Sequence, residues 1–230
     1  MILWLASFPR SGNTLLRMML RQAFGLHSYS IHNHLGFIGS NTEVRDAVGH
    51  LFIEGSIQEF YRNSLYAAGW VPTKTHDPPM DQAPAIYVVR DGRAALVSYW
   101  NYLQRVRQRY DLTLGDVIRG ESTKFGNWSI HLRRWAPHLR PRTLLLRYED
   151  LRDNSNVALA KIASFTGREP VAQWEDNFQR MNAAFPDFFN VASNAKNIEQ
   201  MTPQDQDLFW SLHGECMKTF GYGEEARPSA

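Results

Sequence analysis

Four short stretches of this chain hold residue types that can bind or move an anion. Phe8-Pro9-Arg10-Ser11-Gly12-Asn13-Thr14 combines a cation, a glycine and polar side chains. Lys74-Thr75-His76 sets a cation two positions from an imidazole. Arg90 is followed by Arg93 and Ser98, and a fourth stretch reads Tyr148-Glu149-Asp150. A guanidinium fork suits phosphate oxygens, and a glycine lets the backbone approach them closely. An unperturbed imidazole, with a pKa of about 6.5, accepts a proton at neutral pH. Together these groups could hold a phosphate-like anion and move a proton beside it.

The surrounding pattern supplies elements to position them. Residues 2–8, ILWLASF, form an apolar run closed by Pro9, which predicts a buried strand. Residues 13–24 carry Leu15, Leu16, Met19, Leu20 and Phe24 at helical spacing, with Asn13 as a candidate cap. Residues 25–70 read as helical pieces. Further strands are expected at 70–75, 85–90 and 143–148. Helices are expected at 92–107, 126–139, 155–166, 171–182 and 203–219, and 108–125 reads as polar and irregular. Buried strands alternating with helices predict an α/β fold of three layers: a central, mostly parallel sheet flanked by helices, with a P-loop-like turn after the first strand. In such folds ligands bind beyond the carboxyl ends of the strands. All four stretches fall there.

The first turn follows the physics of a phosphate loop. A helix N-terminus offers unpaired N–H groups and partial positive charge, and Arg10, Ser11, Asn13 and Thr14 add donors. The usual nucleotide loop, Gly-x4-Gly-Lys-Ser/Thr, is not met: no glycine opens the turn and no Lys follows Gly12. On residue types alone, a tight strand-to-helix turn with solvated strand-end charges is the alternative reading.

The strings themselves narrow this. Phe8–Thr14 resembles the 5′-phosphosulfate loop of sulfotransferases that use 3′-phosphoadenosine 5′-phosphosulfate (PAPS). Three more stretches follow in the order of that family: "KTH" at 74–76, "YVVRDGRAALVSYWNY" at 87–102 and "LLLRYEDL" at 144–151. "FGNWSIHLRRW" at 125–135 and the ending "TPQDQDLFWSLHGECMKTFGYG" are similar too, so the resemblance spans nearly the whole chain. It implies transfer of a sulfuryl group from PAPS to a hydroxyl or amine, leaving adenosine 3′,5′-bisphosphate, with no metal. It implies His76 as general base, and Arg10 and Lys74 as the charges that stabilise the transferring group. Arg10, Ser11, Gly12, Asn13 and Thr14 would take the 5′-phosphosulfate, and Arg90 and Ser98 the 3′-phosphate. Tyr148 would lie near the nucleotide or in the core. Glu149 and Asp150 read as structural, as a cap or as partners of Arg90 or Arg147.

Two positions depart from the family pattern. Many relatives stack a Trp on adenine where this chain has Leu15. A late Arg-Lys-Gly or Arg-Ser-Gly string is replaced by Asn190-Val191-Ala192, so Lys196 or Arg93 is expected to compensate. A small-molecule kinase and a non-catalytic nucleotide-binding protein are the competing readings. The first lacks a glycine-rich loop with Lys and a carboxylate placed for magnesium.

Composition bounds the rest. A chain of 230 residues with 43% hydrophobic and 21% charged residues fits one globular domain, read here as a single sulfotransferase domain over 1–230. A net charge of +2 does not argue for nucleic acid. The single cysteine, Cys216, excludes an internal disulfide. No run approaches the ~20 apolar residues of a membrane span, and a cytoplasmic location is expected. The acceptor is left open among small molecules, sugars and lipids. Residues 27–66 and 103–126 are its expected walls, with His27, Tyr29, His32, His34, Phe37, Phe52, Phe60, Tyr61, Tyr66, Tyr102 and Tyr110 among them. His32 and His34 read as loop histidines and not as metal ligands.

Overall fold

The computed structural model of the chain describes residues 1–32, 36–121, 123–189 and 193–223. His34 and the Asn190–Ala192 string therefore lie outside the described residues. In chain order the elements are β1 (Ile2–Ser7), α1 (Asn13–Phe24), β2 (Tyr29–Ser30), α2 (Phe37–Ser40), α3 (Thr42–Ala47), α4 (Ile57–Leu65), β3 (Val71–Thr75), β4 (Ala85–Val89), α5 (Gly92–Arg105) and α6 (Leu114–Arg119). Then come α7 (Trp128–Trp135), β5 (Thr143–Arg147), α8 (Tyr148–Asp153), α9 (Ser155–Thr166), α10 (Phe178–Ala184), α11 (Asn194–Ile198) and α12 (Pro203–Thr219).

These elements form two compact units. The sheet unit comprises Met1–Ser7, Ser11–Val89 and Pro137–Asp176. Its five strands run in the order β2-β3-β1-β4-β5, and every neighbouring pair is parallel. Parallel strands buried on both faces need continuous apolar sequence, and every residue of β1 and β4 is buried. Leu3, Leu5, Ile86, Val88 and Leu146 face a core built with Leu16, Leu20 and Phe24 of α1, Leu151 of α8 and Ile162 of α9. On the alternate side of β1, Trp4 stacks on Tyr61 of α4 at 6.4 Å, and its indole N–H donates to Asp81 at 2.9 Å. The sheet is thus flanked by helices on both faces, as expected.

The helical unit comprises Phe8–Arg10, Arg90–Ala136 and the chain from Asn177 onward, and carries α5, α6, α7, α10, α11 and α12. Its centre is aromatic: Trp128 lies against Phe209 and His213. A Cβ at Gly92 would come within 2.9 Å of the Trp128 ring, so this close start to α5 requires glycine.

Three local expectations are corrected. β2 lies within 25–70, where helical pieces were expected; as a two-residue edge strand it exists only through pairing with Thr73 and Lys74. The 171–182 helix begins only at Phe178. Before it, the N–H groups of Val171 and Ala172 donate to the carbonyl of Ala23, finishing the end of α1. The 108–125 stretch contains α6, started by a reciprocal capping box between Thr113 and Asp116.

Candidate functional site

In the sheet unit, the carboxyl ends of β1, β3, β4 and β5 share one edge, because all run the same way. The turn that follows β1 enters α1 through Gly12, at φ 105°, a left-handed conformation that glycine adopts without a Cβ penalty. Gly12 is also the N-cap. Asn13, read from the sequence as the cap, is instead the first helical residue. Its side-chain amide turns inward and donates to the Leu5 carbonyl at 2.8 Å and to Ser7 Oγ at 3.4 Å. That pins α1 to β1, so Asn13 offers an anion its main-chain N–H, with its side-chain donors already engaged.

No side chain caps α1, and its first turn carries no acidic residue. Its N-terminal N–H groups and dipole are therefore left to an incoming anion. Ser11 Oγ is buried without a hydrogen-bond partner among the described residues. A buried hydroxyl normally finds one, and a phosphate oxygen would supply it. Tyr148 is 8% exposed and belongs to the apolar core. A Cβ at Gly12 would come within 2.6 Å of its ring, so Tyr148 braces the turn from below. Leu15 packs against the same core. The neighbouring carboxylates are structural: Glu149 pairs with Arg147 at 3.8 Å and Asp150 with Lys161 at 3.6 Å.

Beyond β3 the geometry is sharper. Lys74 is half-buried, and its carbonyl accepts from Ile31 N–H at 3.2 Å. The His76 ring holds its Nδ1 2.7 Å from the Ser7 carbonyl. A carbonyl only accepts, so Nδ1 carries the proton, and in the neutral ring the lone pair is on Nε2. The fold thus selects the tautomer whose basic nitrogen is Nε2.

In the helical unit, Phe8 anchors the start of the turn, edge-on to Tyr99 at 6.0 Å and His131 at 5.7 Å. Arg10 follows at φ 63°, an uncommon conformation for a side-chain-bearing residue, of the kind found at functional turns. Its Nη2 donates to the Phe188 carbonyl at 2.7 Å and its Nε to Ser98 Oγ at 3.4 Å. Its guanidinium lies over the Tyr102 and Phe188 rings, at 5.4 and 5.5 Å. Arg90 Nη1 donates to the Arg10 carbonyl at 3.0 Å, and Arg90 Nε to Asn194 Oδ1 at 2.9 Å. Arg10, Arg90 and Ser98 are thus drawn together, with Arg10 as the link.

Two other basic residues were read from the sequence as candidates beside this group. Arg93 is 1% exposed and forms a bidentate pair with Asp91, at 2.6 and 3.1 Å, with its charge over Trp210 at 5.4 Å. It is committed to the core, which corrects the expectation that it compensates for the missing clamp. Lys196 is exposed, two residues beyond the Asn194 that bonds Arg90. Asn194 and Phe188 were missed in the sequence. Both act through groups common to many residues, an amide oxygen and a main-chain carbonyl, and no spacing marks them.

Comparison with known proteins bears on the family and the fold. The model of the sulfotransferase domain matches residues 2–209. A flavonol 3-sulfotransferase of Flaveria bidentis is 25% identical over 186 residues, covering 71% of this chain and 56% of that protein. WSCD family member CG9164 of Drosophila melanogaster is 26% identical over 211 residues, covering 89% of this chain and 60% of that protein. Rat sulfotransferase 1A1 is 31% identical over 90 residues, 36% of this chain and 30% of that protein. The chain thus spans between about a third and three fifths of the length of these relatives. Among solved structures, mouse sulfotransferase SULT7A1 complexed with PAP shares the fold with a TM-score of 0.62 at 19% identity, covering 96% of this chain and 88% of that one. The sulfotransferase domain from the curacin biosynthetic pathway aligns with a TM-score of 0.52 at 17% identity, covering 96% and 97%. With a family model matched over nearly its whole length, the chain belongs to the sulfotransferase domain family.

Proposed function

We propose that this protein is a single sulfotransferase domain over residues 1–230 that transfers a sulfuryl group from PAPS to the hydroxyl or amine of a small acceptor. The observation that carries this reading is the His76 tautomer. With Nδ1–H held on the Ser7 carbonyl, the neutral ring has its basic lone pair on Nε2, within the Lys74-Thr75-His76 segment.

Each residue then has a task. The acceptor O–H or N–H gives its proton to His76 Nε2 as the acceptor atom bonds to sulfur. The bond between sulfur and the bridging phosphate oxygen breaks, leaving adenosine 3′,5′-bisphosphate. Negative charge grows on the bridging and phosphate oxygens, and Arg10 and Lys74 stabilise it. Arginine stays protonated at any working pH, so Arg10 acts by charge and hydrogen bonding only. The N–H groups opening α1, the buried Ser11 hydroxyl and Thr14 hold the 5′-phosphosulfate, with Gly12 allowing close approach. Arg90 and Ser98 hold the 3′-phosphate, and Lys196 adds long-range attraction. Tyr148 supports the turn. The acceptor is a small hydroxylated molecule, sugar or lipid, and the flavonol 3-sulfotransferase among the relatives favours an aromatic alcohol.

The test is calorimetric titration with adenosine 3′,5′-bisphosphate, using AMP and magnesium-ATP as controls, followed by PAPS-dependent transfer to a panel of simple alcohols and phenols. Selective binding of the bisphosphate and its release during turnover support the reading. Preference for magnesium-ATP overturns it in favour of a kinase.

A further inference from the structure

His32 follows β2, the edge strand beside β3, and its sequence neighbourhood suggested nothing beyond a loop histidine. In the structure its Nε2 accepts the main-chain N–H of His76 at 3.1 Å. Its ring is nearly parallel to that of His76, at 12° with centroids 5.9 Å apart. The same Nε2 lies 3.4 Å from Asp77 Oδ2, and the side chains of His32 and Asp77 are 17% and 27% exposed. His76 is thereby fixed twice, by its ring on the Ser7 carbonyl and by its main chain on the His32 imidazole.

We infer that His32 is a positioning residue: its Nε2, acting as a hydrogen-bond acceptor, fixes the backbone of His76 and so aims the His76 ring. The inference rests on the base role proposed for His76. Two geometric points support it. A main-chain N–H just past a strand end has lost its ladder partner, and the imidazole of His32, two residues beyond the neighbouring strand β2, replaces it. A base must also be held within about 0.5 Å of its working position, which needs supporting residues as well as the base itself. Asp77 is the competing group. A proton on His32 Nε2 would turn that nitrogen toward the carboxylate and release the His76 N–H.

The experiment uses three variants of the full chain. His32→Gln keeps an acceptor near the position of Nε2. His32→Phe keeps a flat ring but removes the acceptor. Asp77→Asn removes the competing charge. Amide hydrogen exchange at His76, measured relative to the neighbouring Thr75 amide, reads the hydrogen bond without reference to activity. Exchange at His76 is expected to quicken by about 10-fold in His32→Phe and to stay within about 3-fold of wild type in the other two. With PAPS and the acceptor panel, kcat is expected to fall about 10-fold in His32→Phe, while bisphosphate affinity and the acceptor KM change less than about 2-fold.

His32→Gln is expected to rescue kcat, and Asp77→Asn to keep it. Unchanged exchange in His32→Phe overturns the assigned hydrogen bond. Faster exchange with unchanged kcat overturns the positioning role. An equal loss in Asp77→Asn and His32→Phe assigns the effect to the ion pair and also overturns it. Wild-type protein that binds the bisphosphate but transfers no sulfuryl group removes the catalytic reading of both histidines, while the exchange result still decides the hydrogen bond.

Discussion

His213 offers the most quantitative test of the structure. It lies on α12 with no solvent exposure, ringed by Trp128 and Phe209. Nε2 lies 3.0 Å from the Ile118 carbonyl, so it carries the proton, and Nδ1 accepts from Ser129 Oγ at 2.7 Å. Both ring nitrogens are satisfied in the neutral form, and burial without a carboxylate partner among the described residues disfavours the charged one. Burial pushes the pKa down from 6.5 to about 4, with the nearby Arg133 charge acting in the same direction and the Ile118 hydrogen bond opposing them.

The folded pKa lies below the unfolded one, so the unfolded chain binds more protons between those values. Stability is therefore complete above about pH 6.5 and is lost as pH falls toward 4. At about 1.4 kcal/mol per unit, the full loss is about 3 kcal/mol, of which about 2 kcal/mol falls between pH 7 and pH 5. Urea denaturation of wild type and His213→Gln at several pH values isolates this contribution. The stability difference between the two proteins is expected to shrink by about 2 kcal/mol from pH 7 to pH 5. A difference that stays constant with pH would refute the buried neutral imidazole, whatever the mean stability of the variant.

Other perturbations test the site. Gly12→Ala meets both a left-handed backbone and the Tyr148 ring at 2.6 Å, so a loss of about 2–5 kcal/mol in thermal or urea unfolding is expected, partly recovered with Tyr148→Leu. A loss near zero would mean that the turn is not built as described. Arg10→Ala should weaken bisphosphate binding in calorimetry and lower kcat/KM by about 10²–10³-fold in transfer assays, because the charge attracts the bound phosphate and acts still more on the charge that grows in the transition state. Asn190→Arg, which restores the family's late cation, should lower the bisphosphate dissociation constant by about 10-fold; no change on titration counts against the missing clamp.

Legibility in the sequence followed the locality of each signal. The β1 run ends against Pro9, and α12 starts at Thr202-Pro203 with Asp205 completing its capping box, so both were bounded by residues within a few positions. β2 was hidden because two residues carry no period, and only β3 makes them a strand. Asn13 shows the same limit at the site. Its type suits an anion, but the Leu5 carbonyl, eight residues earlier, takes its side chain. Arg93 has the right charge and spacing, yet Asp91 and the Trp210 ring hold it in the core. Arg10, Arg90 and Ser98 were legible as strings. Their shared sheet edge was legible too; the bonds that join them were not, since these run through a main-chain carbonyl and a left-handed Arg10.

The most direct test of the central claim compares wild type with His76→Ala on two readings: PAPS-dependent release of adenosine 3′,5′-bisphosphate with the acceptor panel, and calorimetric affinity for the bisphosphate. The account predicts turnover abolished and affinity kept, because the proposed role of His76 is to take the acceptor proton and not to bind the nucleotide. Substantial turnover in His76→Ala would contradict it.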